Sequence, residues 1–194
     1  MQNGASKSGR NRLLLVLGLF AAPVVASFLA YYVWQPQGAV LNYGELITPV
    51  RPTGEIMLTQ LDGSPLAIKT LRGKWLLVYA GGGACDARCE QSLYAMRQVR
   101  LMQNREQDRV RRVWVVTDAV APRAELLQGR FEGTLAVRDP QRALLDKLPV
   151  KSELGNHIYV IDPLGNIMMR YDPDPDLRRM AKDLERLLRA SWVG

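Results

Sequence analysis

An uncharged apolar run of 22 residues, Leu13–Trp34, constrains the fold of this 194-residue chain more than any other feature. A helix rises about 1.5 Å per residue, so a helix of this length covers about 33 Å. The hydrocarbon core of a membrane is about 30 Å thick. The run therefore predicts a single transmembrane helix over residues 13–34.

The charges on either side of the apolar run predict its orientation. Lys7, Arg10 and Arg12 precede the run, and no basic residue follows it until Arg51. Because basic residues accumulate on the cytoplasmic side of a membrane, we expect residues 1–12 in the cytoplasm and the rest of the chain on the other side.

A cleaved signal peptide is the competing interpretation of this run, with Ala26 before Ser27 as a weak small-residue cleavage site. The apolar region of a signal peptide is usually about 7–15 residues long. This run continues well past Ala26, so its length favours an uncleaved anchor.

The rest of the chain is long enough for one globular domain. Pro and Gly are frequent over residues 35–51, which predicts a linker followed by a domain over residues 52–194. Two Cys and one His are too few for a zinc-finger array or a disulfide-dense mini-protein.

The segment from Arg97 to Arg112 is rich in arginine, but Glu106 and Asp108 interrupt it. The segment has no aromatic residue, and the first one after it is Trp114. Surfaces that bind nucleic acid combine basic residues with aromatic residues that stack on bases. We therefore expect a solvated helix face here, and no nucleic-acid partner.

Short apolar runs that alternate with helical patterns predict an α/β domain. Buried strands are predicted over residues 74–80, 113–117 and 135–137, hairpins around residues 62–63 and 162–166, and helices over residues 86–104, 122–128, 140–148 and 176–191. Elements in this order form a sheet with helices packed on it, and we expect helices on both faces.

The two cysteines, Cys85 and Cys89, follow a predicted buried strand and a glycine turn, at the start of a helix. This spacing brings both sulfurs to one side of the first helical turn, within reach of a disulfide or a shared metal ion. The N–H groups at a helix start, together with Arg88, favour the thiolate, which attacks disulfides and binds soft ions such as Cu(I). We therefore predict that both cysteines are functional thiols. A structural disulfide is the alternative, although so short a loop gains little from a crosslink.

The sequence resembles the Sco family over about residues 52–190. The resemblance is carried by the cysteine pair and by four segments: Leu58-Thr59-Gln60-Leu61-Asp62-Gly63, Leu71-Arg72-Gly73-Lys74-Trp75-Leu76-Leu77-Val78-Tyr79, Val115-Val116-Thr117-Asp118 and Tyr159-Val160-Ile161-Asp162-Pro163-Leu164-Gly165-Asn166. The Cys-x3-Cys spacing is its most specific part, because ordinary thioredoxins use Cys-x2-Cys. A single N-terminal anchor with an exported domain is also typical of that family.

Sco proteins are membrane-anchored thioredoxin-fold proteins that assist copper insertion into cytochrome c oxidase. The resemblance implies a thioredoxin-like fold with a central mixed sheet flanked by helices, and Cu(I) as the bound ion. It implies the copper-bearing subunit of cytochrome c oxidase, or other assembly factors, as partners. With the predicted orientation, we expect a single-pass protein of the bacterial inner membrane whose C-terminal domain lies in the periplasm.

The resemblance also implies a copper ligand set of Cys85, Cys89 and a histidine. The family position of this histidine falls near Leu154, whereas the single histidine of this chain is His157. His157 is therefore an inexact replacement, and its alternative role is that of a strand-end histidine hydrogen-bonded to a neighbour. Family members have Pro after the second cysteine, and Glu90 stands there in this sequence.

Three functions are compatible with these patterns. The first is binding and delivery of Cu(I) to the oxidase. The second is thiol–disulfide exchange, either on the copper-site cysteines of the oxidase or as a general periplasmic oxidoreductase. The third is a non-catalytic assembly scaffold with a structural disulfide. No chemistry is assigned to Asp118, which matches a family aspartate and is equally suited to cap a following helix.

Overall fold

The computed structural model describes residues 5–33, 42–150, 155 and 157–193. The chain divides into two compact units, Met1–Leu41 and Asn42–Gly194. Two residues that matter for the sequence predictions, Trp34 and Leu154, lie outside the described residues.

Helix α1 (Ala5–Val33) belongs to the first unit. Its stretch Gly9–Tyr32 is 24 residues long with a mean hydropathy of 2.5, and its most apolar window is not buried against other described residues. Pro23 lies inside the helix, at a kind of position that membrane-spanning helices tolerate. The predicted apolar helix is therefore present, and it is long and apolar enough to cross a membrane as a single-pass anchor.

Within the described part of the second unit, eight strands form one mixed sheet. The strands are β1 (Glu45–Pro52), β2 (Met57–Gln60), β3 (Pro65–Ala67), β4 (Trp75–Gly81), β5 (Val110–Val116), β6 (Thr134–Arg138), β7 (Ile158–Ile161) and β8 (Asn166–Tyr171). Their order across the sheet is β1-β8-β7-β4-β5-β6-β2-β3. Strands β4, β5 and β6 run parallel, and the remaining neighbours pair antiparallel. Every residue of β4 is buried, as expected for a central strand that reads as a continuous apolar run.

The two long helices of the described second unit, α2 (Ala87–Leu101) and α3 (Leu177–Ala190), pack on the same face of the sheet and share one hydrophobic core. The core on the opposite face is closed by 3₁₀ turns at Ile68–Leu71 and Leu145–Lys147. The α/β class with a central mixed sheet is confirmed. In the described residues, the helices on the second face are these short 3₁₀ turns, whereas the two long α-helices lie on the first face.

Two predicted helices are shorter in the structure. The helix predicted over residues 122–128 is reduced to a π-helical turn at Leu126–Arg130. In place of the helix predicted over residues 140–148, the carboxylate of Asp139 accepts bonds of 2.8 to 3.1 Å from the N–H groups of three consecutive residues, Ala143, Leu144 and Leu145. One side chain satisfies these three donors, so a longer helix is not needed to pair them.

The predicted linker does not include the whole of residues 35–51, because Glu45–Pro52 forms strand β1. Glu45–Pro52 pairs antiparallel with β8 at one side of the sheet, and the compact second unit begins at Asn42. Ile47 is the buried residue of this strand, so the alternation of apolar and polar residues that marks a half-buried strand is absent from its sequence.

Candidate redox site

The candidate redox site begins in the glycine loop that connects β4 to α2. A Cβ atom added to Gly83 would lie 2.0 Å from the carbonyl oxygen of Val120, and one added to Gly82 would lie 2.7 Å from Oδ2 of Asp118. The first contact is with backbone, which cannot move away as a side chain can. Residue 83 must therefore be glycine for the loop to lie this close to the segment that follows β5.

Asp118 holds the glycine loop in place. Its Oδ1 accepts one hydrogen bond from the N–H of Gly83 at 2.9 Å and another from the N–H of Val120 at 3.1 Å. Because β4 and β5 are parallel neighbours, the loops after them meet at the same end of the sheet. The sequence signal for this role is a carboxylate immediately after a buried parallel strand. The structure therefore gives Asp118 a positioning role that the sequence analysis missed.

Cys85 and Cys89 are joined by a disulfide across the start of α2, with their Cα atoms 5.0 Å apart. Asp86 is the N-cap of this helix, and its carboxylate accepts a 2.9 Å hydrogen bond from the N–H of Cys89. Cys85 has a φ of +50°, a left-handed conformation that is unfavourable for a residue other than glycine. The two sulfurs are thus within bonding reach, and the redox and ligand roles predicted for them stay predictions.

The disulfide forms part of the wall of a cleft of about 350 Å³. The other lining residues come from the carboxyl ends of β4 and β5, from the first turn of α2 and from Gly155. Cys85 is 5% exposed and Cys89 is 2% exposed. Both cysteines are therefore buried, and the cleft is the space that adjoins them.

Tyr79 places a phenol in the same cleft. Burial raises the pKa of Tyr79 to about 12; the negative charge of Asp86 acts in the same direction and the positive charge of Arg88 opposes it. The phenol therefore stays protonated at neutral pH and remains a hydrogen-bond donor inside the cleft. In the sequence Tyr79 belongs to the predicted central strand, and the apolar run around it gives no signal for this role.

Glu90 follows the second cysteine and forms two ion pairs. Its carboxylate oxygens lie 2.8 Å from Nη2 of Arg123 and 2.7 Å from Nη1 of Arg130. These contacts tie the first turn of α2 to the π-helical turn and the segment before it. The residue that departs from the Sco pattern is therefore a tether between the cysteine-bearing helix and a neighbouring segment.

His157 lies immediately before β7 and is 3% exposed. Its Nδ1 is 3.3 Å from the carbonyl oxygen of Tyr171 and 3.7 Å from Oδ1 of Asp172. Because a carbonyl oxygen only accepts hydrogen bonds, Nδ1 is the donor in its contact with Tyr171. Nε2 is buried and has no hydrogen-bond partner among the described residues.

The structure does not gather the three predicted copper ligands into one site. In the part of the chain that is described, no group of three or more His, Cys, Asp or Glu side chains could hold a metal ion. The described lining of the disulfide cleft contains Cys85 and Cys89 but not His157. Reduction would give two cysteine thiols in the cleft, and their thiolate forms are soft ligands of the kind that select Cu(I).

The fold and the cysteine pair define a class of protein: a thioredoxin-like domain with paired cysteines at the start of the helix that follows a central strand. Residues 75–191 match the family model described as a transmembrane-like, thioredoxin-like C-terminal domain. The match spans more than half of the chain, and the chain belongs to this family. No curated protein matches the sequence.

Solved structures of Sco proteins share this fold. Yeast Sco1 with copper bound has a TM-score of 0.63 at 18% identity, covering 75% of this chain and 96% of that one. Apo Sco1 from Thermus thermophilus has a TM-score of 0.57 at 18% identity, covering 77% and 96%. ScoI from Arabidopsis thaliana with copper bound has a TM-score of 0.57 at 16% identity, covering 71% and 98%. The predicted resemblance to the Sco family, with its thioredoxin-like fold, is therefore confirmed at the level of the fold.

Proposed function

We propose that this protein is a Sco-like thiol–disulfide exchange protein, anchored in the bacterial inner membrane by α1, with its C-terminal domain in the periplasm. The observation that carries the proposal is the Cys85–Cys89 disulfide in the wall of a cleft at the start of α2. A crosslink between residues so close in sequence removes little chain entropy and stabilises the fold little. Exchange with a disulfide of another protein gives the cysteine pair a function, whereas stabilisation of the fold does not account for the pair.

The exchange runs in two steps in the reducing direction. The Cys85 thiolate attacks one sulfur of a partner disulfide, and the partner S–S bond breaks with its electron pair on the leaving sulfur. Cys89 then attacks the Cys85 sulfur of the mixed disulfide, which releases the partner as a dithiol and forms the Cys85–Cys89 disulfide. Two electrons and two protons pass to the partner, and a periplasmic dithiol donor protein restores the reduced pair.

The described surroundings of the pair favour Cys85 as the attacking residue. Cys85 precedes the helix, whereas Cys89 lies inside the first turn and its N–H is bonded to the Asp86 cap. The protonated phenol of Tyr79 lines the same cleft and can donate a hydrogen bond to a thiolate there. Asp118 keeps the glycine loop, and with it Cys85, at the carboxyl end of β4.

We further propose that the partner is the copper-bearing subunit of cytochrome c oxidase. Cysteines bind copper as thiolates, so a disulfide at the copper site of that subunit must be reduced before metal is inserted. The support is the shared fold with two Sco structures that contain copper. A general periplasmic oxidoreductase and a non-catalytic scaffold are the competing outcomes.

Trapping of the mixed disulfide tests the exchange function in the full chain, solubilised in detergent. Cys89→Ser keeps the attacking thiol and removes the resolving one, so it should accumulate a covalent complex with an oxidised copper-bearing oxidase subunit. Cys85→Ser is the matched control and should form little of it. Complexes with any oxidised protein, and no preference for the oxidase subunit, would indicate a general oxidoreductase.

The reduction potential of the pair separates exchange from a scaffold role. The full chain is equilibrated with dithiothreitol buffers of known potential, alkylated and weighed by mass spectrometry. We expect a potential less negative than about −300 mV, the region of exchangeable disulfides. A potential well below that value, with no trapped complex from either variant, would overturn the proposal in favour of a structural disulfide.

Binding of Cu(I) by the reduced pair is a second candidate function, favoured by the two copper-bound structures of the same fold. Anaerobic titration of the reduced full chain against a Cu(I) chelator should then show one tight equivalent that Cys89→Ser loses. His157 stays the predicted third ligand, because its buried Nε2 has no hydrogen-bond partner among the described residues. His157→Ala should weaken Cu(I) binding if the ring ligates copper; unchanged binding would assign His157 to its hydrogen bond with Tyr171.

A further inference from the structure

A second cleft lies at the opposite ends of the strands that carry the cysteine loop. It has a volume of about 810 Å³ and is lined by the amino ends of β5 and β6, by Lys74 before β4 and by the last turns of α2. Strands β4, β5 and β6 are parallel, so their amino ends lie together, away from the disulfide at the carboxyl end of β4. We call this the basic cleft.

Positive charge dominates the lining of the basic cleft. Five cationic side chains line it, against two carboxylates: Lys74, Arg97, Arg100, Arg111 and Arg112 face Asp108 and Glu132. Asp108 is paired with Arg100, their atoms 3.0 Å apart. Among the described residues, the other four cations of the cleft have no carboxylate within ion-pair distance. The lining therefore holds an excess of positive charge that the described residues do not balance.

Arg112 is the most constrained of these cations, since it is 4% exposed. Its Nη2 donates a hydrogen bond to the carbonyl oxygen of Glu132. Its Nε and Nη1 are buried and, like Oγ1 of Thr134 beside it in the cleft, have no partner in the described part of the chain. Burial of an unpaired charge is costly, so this arrangement calls for a counter-ion.

The pKa of Arg112 agrees with the need for a counter-ion. Burial, and after it the positive charges of Arg100 and Arg97, lower the pKa of its guanidinium to about 10. A negative charge placed in the cleft would reverse both contributions, because it supplies the missing partner and offsets the repulsion among the three arginines.

The lining also distinguishes among anionic ligands. The described lining contains no aromatic side chain on which a base could stack, which disfavours single-stranded nucleic acid. Four unbalanced cations suit an anion with more than one negative charge and several acceptor oxygens better than a lone carboxylate. Arginine forks match the oxygens of a phosphate group in particular.

We propose that the basic cleft binds a phosphate group. Arg97 and Lys74 contact the phosphate at the rim of the cleft, and the buried positive charge of Arg112 attracts it. The phosphate comes either from a free phosphorylated ion in the periplasm or from the head group of an anionic phospholipid, and the same lining serves both.

Calorimetric titration of the full chain tests this proposal. The protein is reconstituted in nanodiscs of phosphatidylcholine and titrated with inorganic phosphate, with ionic strength held constant by chloride. We expect saturable binding to one site. Arg97→Gln should weaken it about tenfold, the effect of removing one charge-assisted contact. Arg105→Gln is the matched control: it removes the same charge from the same arginine-rich segment, but the residue is exposed and lies outside the cleft lining.

A second set of nanodiscs, containing phosphatidylglycerol, identifies the source of the phosphate. If the lipid head group is the natural ligand, these discs should suppress the binding of inorganic phosphate; if the ligand is free, binding should be the same in both. Arg112→Gln, checked for folding by near-UV circular dichroism, should also weaken binding. Absence of saturable binding in phosphatidylcholine discs, or an equal loss in Arg97→Gln and Arg105→Gln, would overturn the proposal.

Discussion

At the carboxyl ends of β4 and β5 the carboxylates near the disulfide are paired, whereas near the amino ends of β5 and β6 several buried polar atoms have no partner among the described residues. Asp118, Asp86 and Glu90 each accept hydrogen bonds or ion pairs within the domain. At the other end, Arg112 and Thr134 keep buried atoms without a partner among the described residues. The two ends of one set of strands therefore meet the requirements of buried polar groups in different ways.

This difference separates two kinds of site. The disulfide end is preorganised: its loop, its helix cap and its ion pairs fix the sulfurs before any partner arrives, as exchange chemistry requires. The basic cleft holds charges that the fold itself does not satisfy, as expected of a surface that is completed by a ligand. Substitutions at the first end should therefore destabilise the domain, and removal of a charge at the second should not.

Gly83→Ala should show the largest effect. The new Cβ would lie 2.0 Å from the carbonyl oxygen of Val120, so the backbone of one loop must shift. We expect a loss of about 3 kcal/mol in the free energy of unfolding, measured by urea denaturation of the detergent-solubilised chain. Gly129→Ala is the control, since a Cβ there meets nothing within 4 Å. Equal stability of the two variants would show that the glycine loop is not tightly held.

Asp118→Ala should have the next largest effect, because it leaves the N–H groups of Gly83 and Val120 without their acceptor. We expect a loss of about 1.5 kcal/mol, in the range of hydrogen bonds to a charged group. Asp118→Asn keeps an acceptor oxygen and should recover most of the stability in the same urea assay. If Asn is as damaging as Ala, charge rather than hydrogen bonding holds the loop.

Most of the sheet follows from the sequence because its central strands are buried on both faces. The apolar runs at residues 74–80, 113–117 and 135–137 became β4, β5 and β6 with shifts of one to three residues at their ends. Strand β1 was not predictable in the same way, since a strand at the side of a sheet with one buried residue has no apolar period. The shortening of the helix predicted over residues 140–148 depends on one carboxylate, Asp139, whose reach to three N–H groups is a tertiary detail.

The two sites were predictable to different degrees for the same reason. Cys85 and Cys89 are neighbours in sequence, so their spacing alone places the sulfurs together. The basic cleft joins Lys74, Arg97 and Arg112 from three separate elements, and charge along the chain does not show which arginine is buried. The expected solvated helix face is wrong for Arg112, which lies in β5 and is 4% exposed.

Arg112→Met tests the basic cleft. In contrast to the two changes above, it should raise the free energy of unfolding. The change removes a buried charge that the described residues leave unpaired, together with one hydrogen bond to Glu132, and keeps a side chain of similar length. We expect a gain of about 1 kcal/mol in the free energy of unfolding in chloride buffer without phosphate. Arg105→Met, at an exposed position, should change stability little. A clear loss of stability in Arg112→Met would mean that the fold itself uses this charge.

Glu90→Gln should have the smallest effect and refine the description of the disulfide end. It removes the charge that pairs with Arg123 and Arg130, whose side chains are 55% and 63% exposed. Exposed ion pairs contribute little, so we expect a loss of about 0.5 kcal/mol that disappears in about 1 M salt. Glu185→Gln breaks the exposed pair with Arg189 on α3 and serves as the control for an ion pair away from the cysteines. A salt-independent loss larger than that of the control would mean that Glu90 fixes the first turn of α2 through packing, because screening leaves packing unchanged.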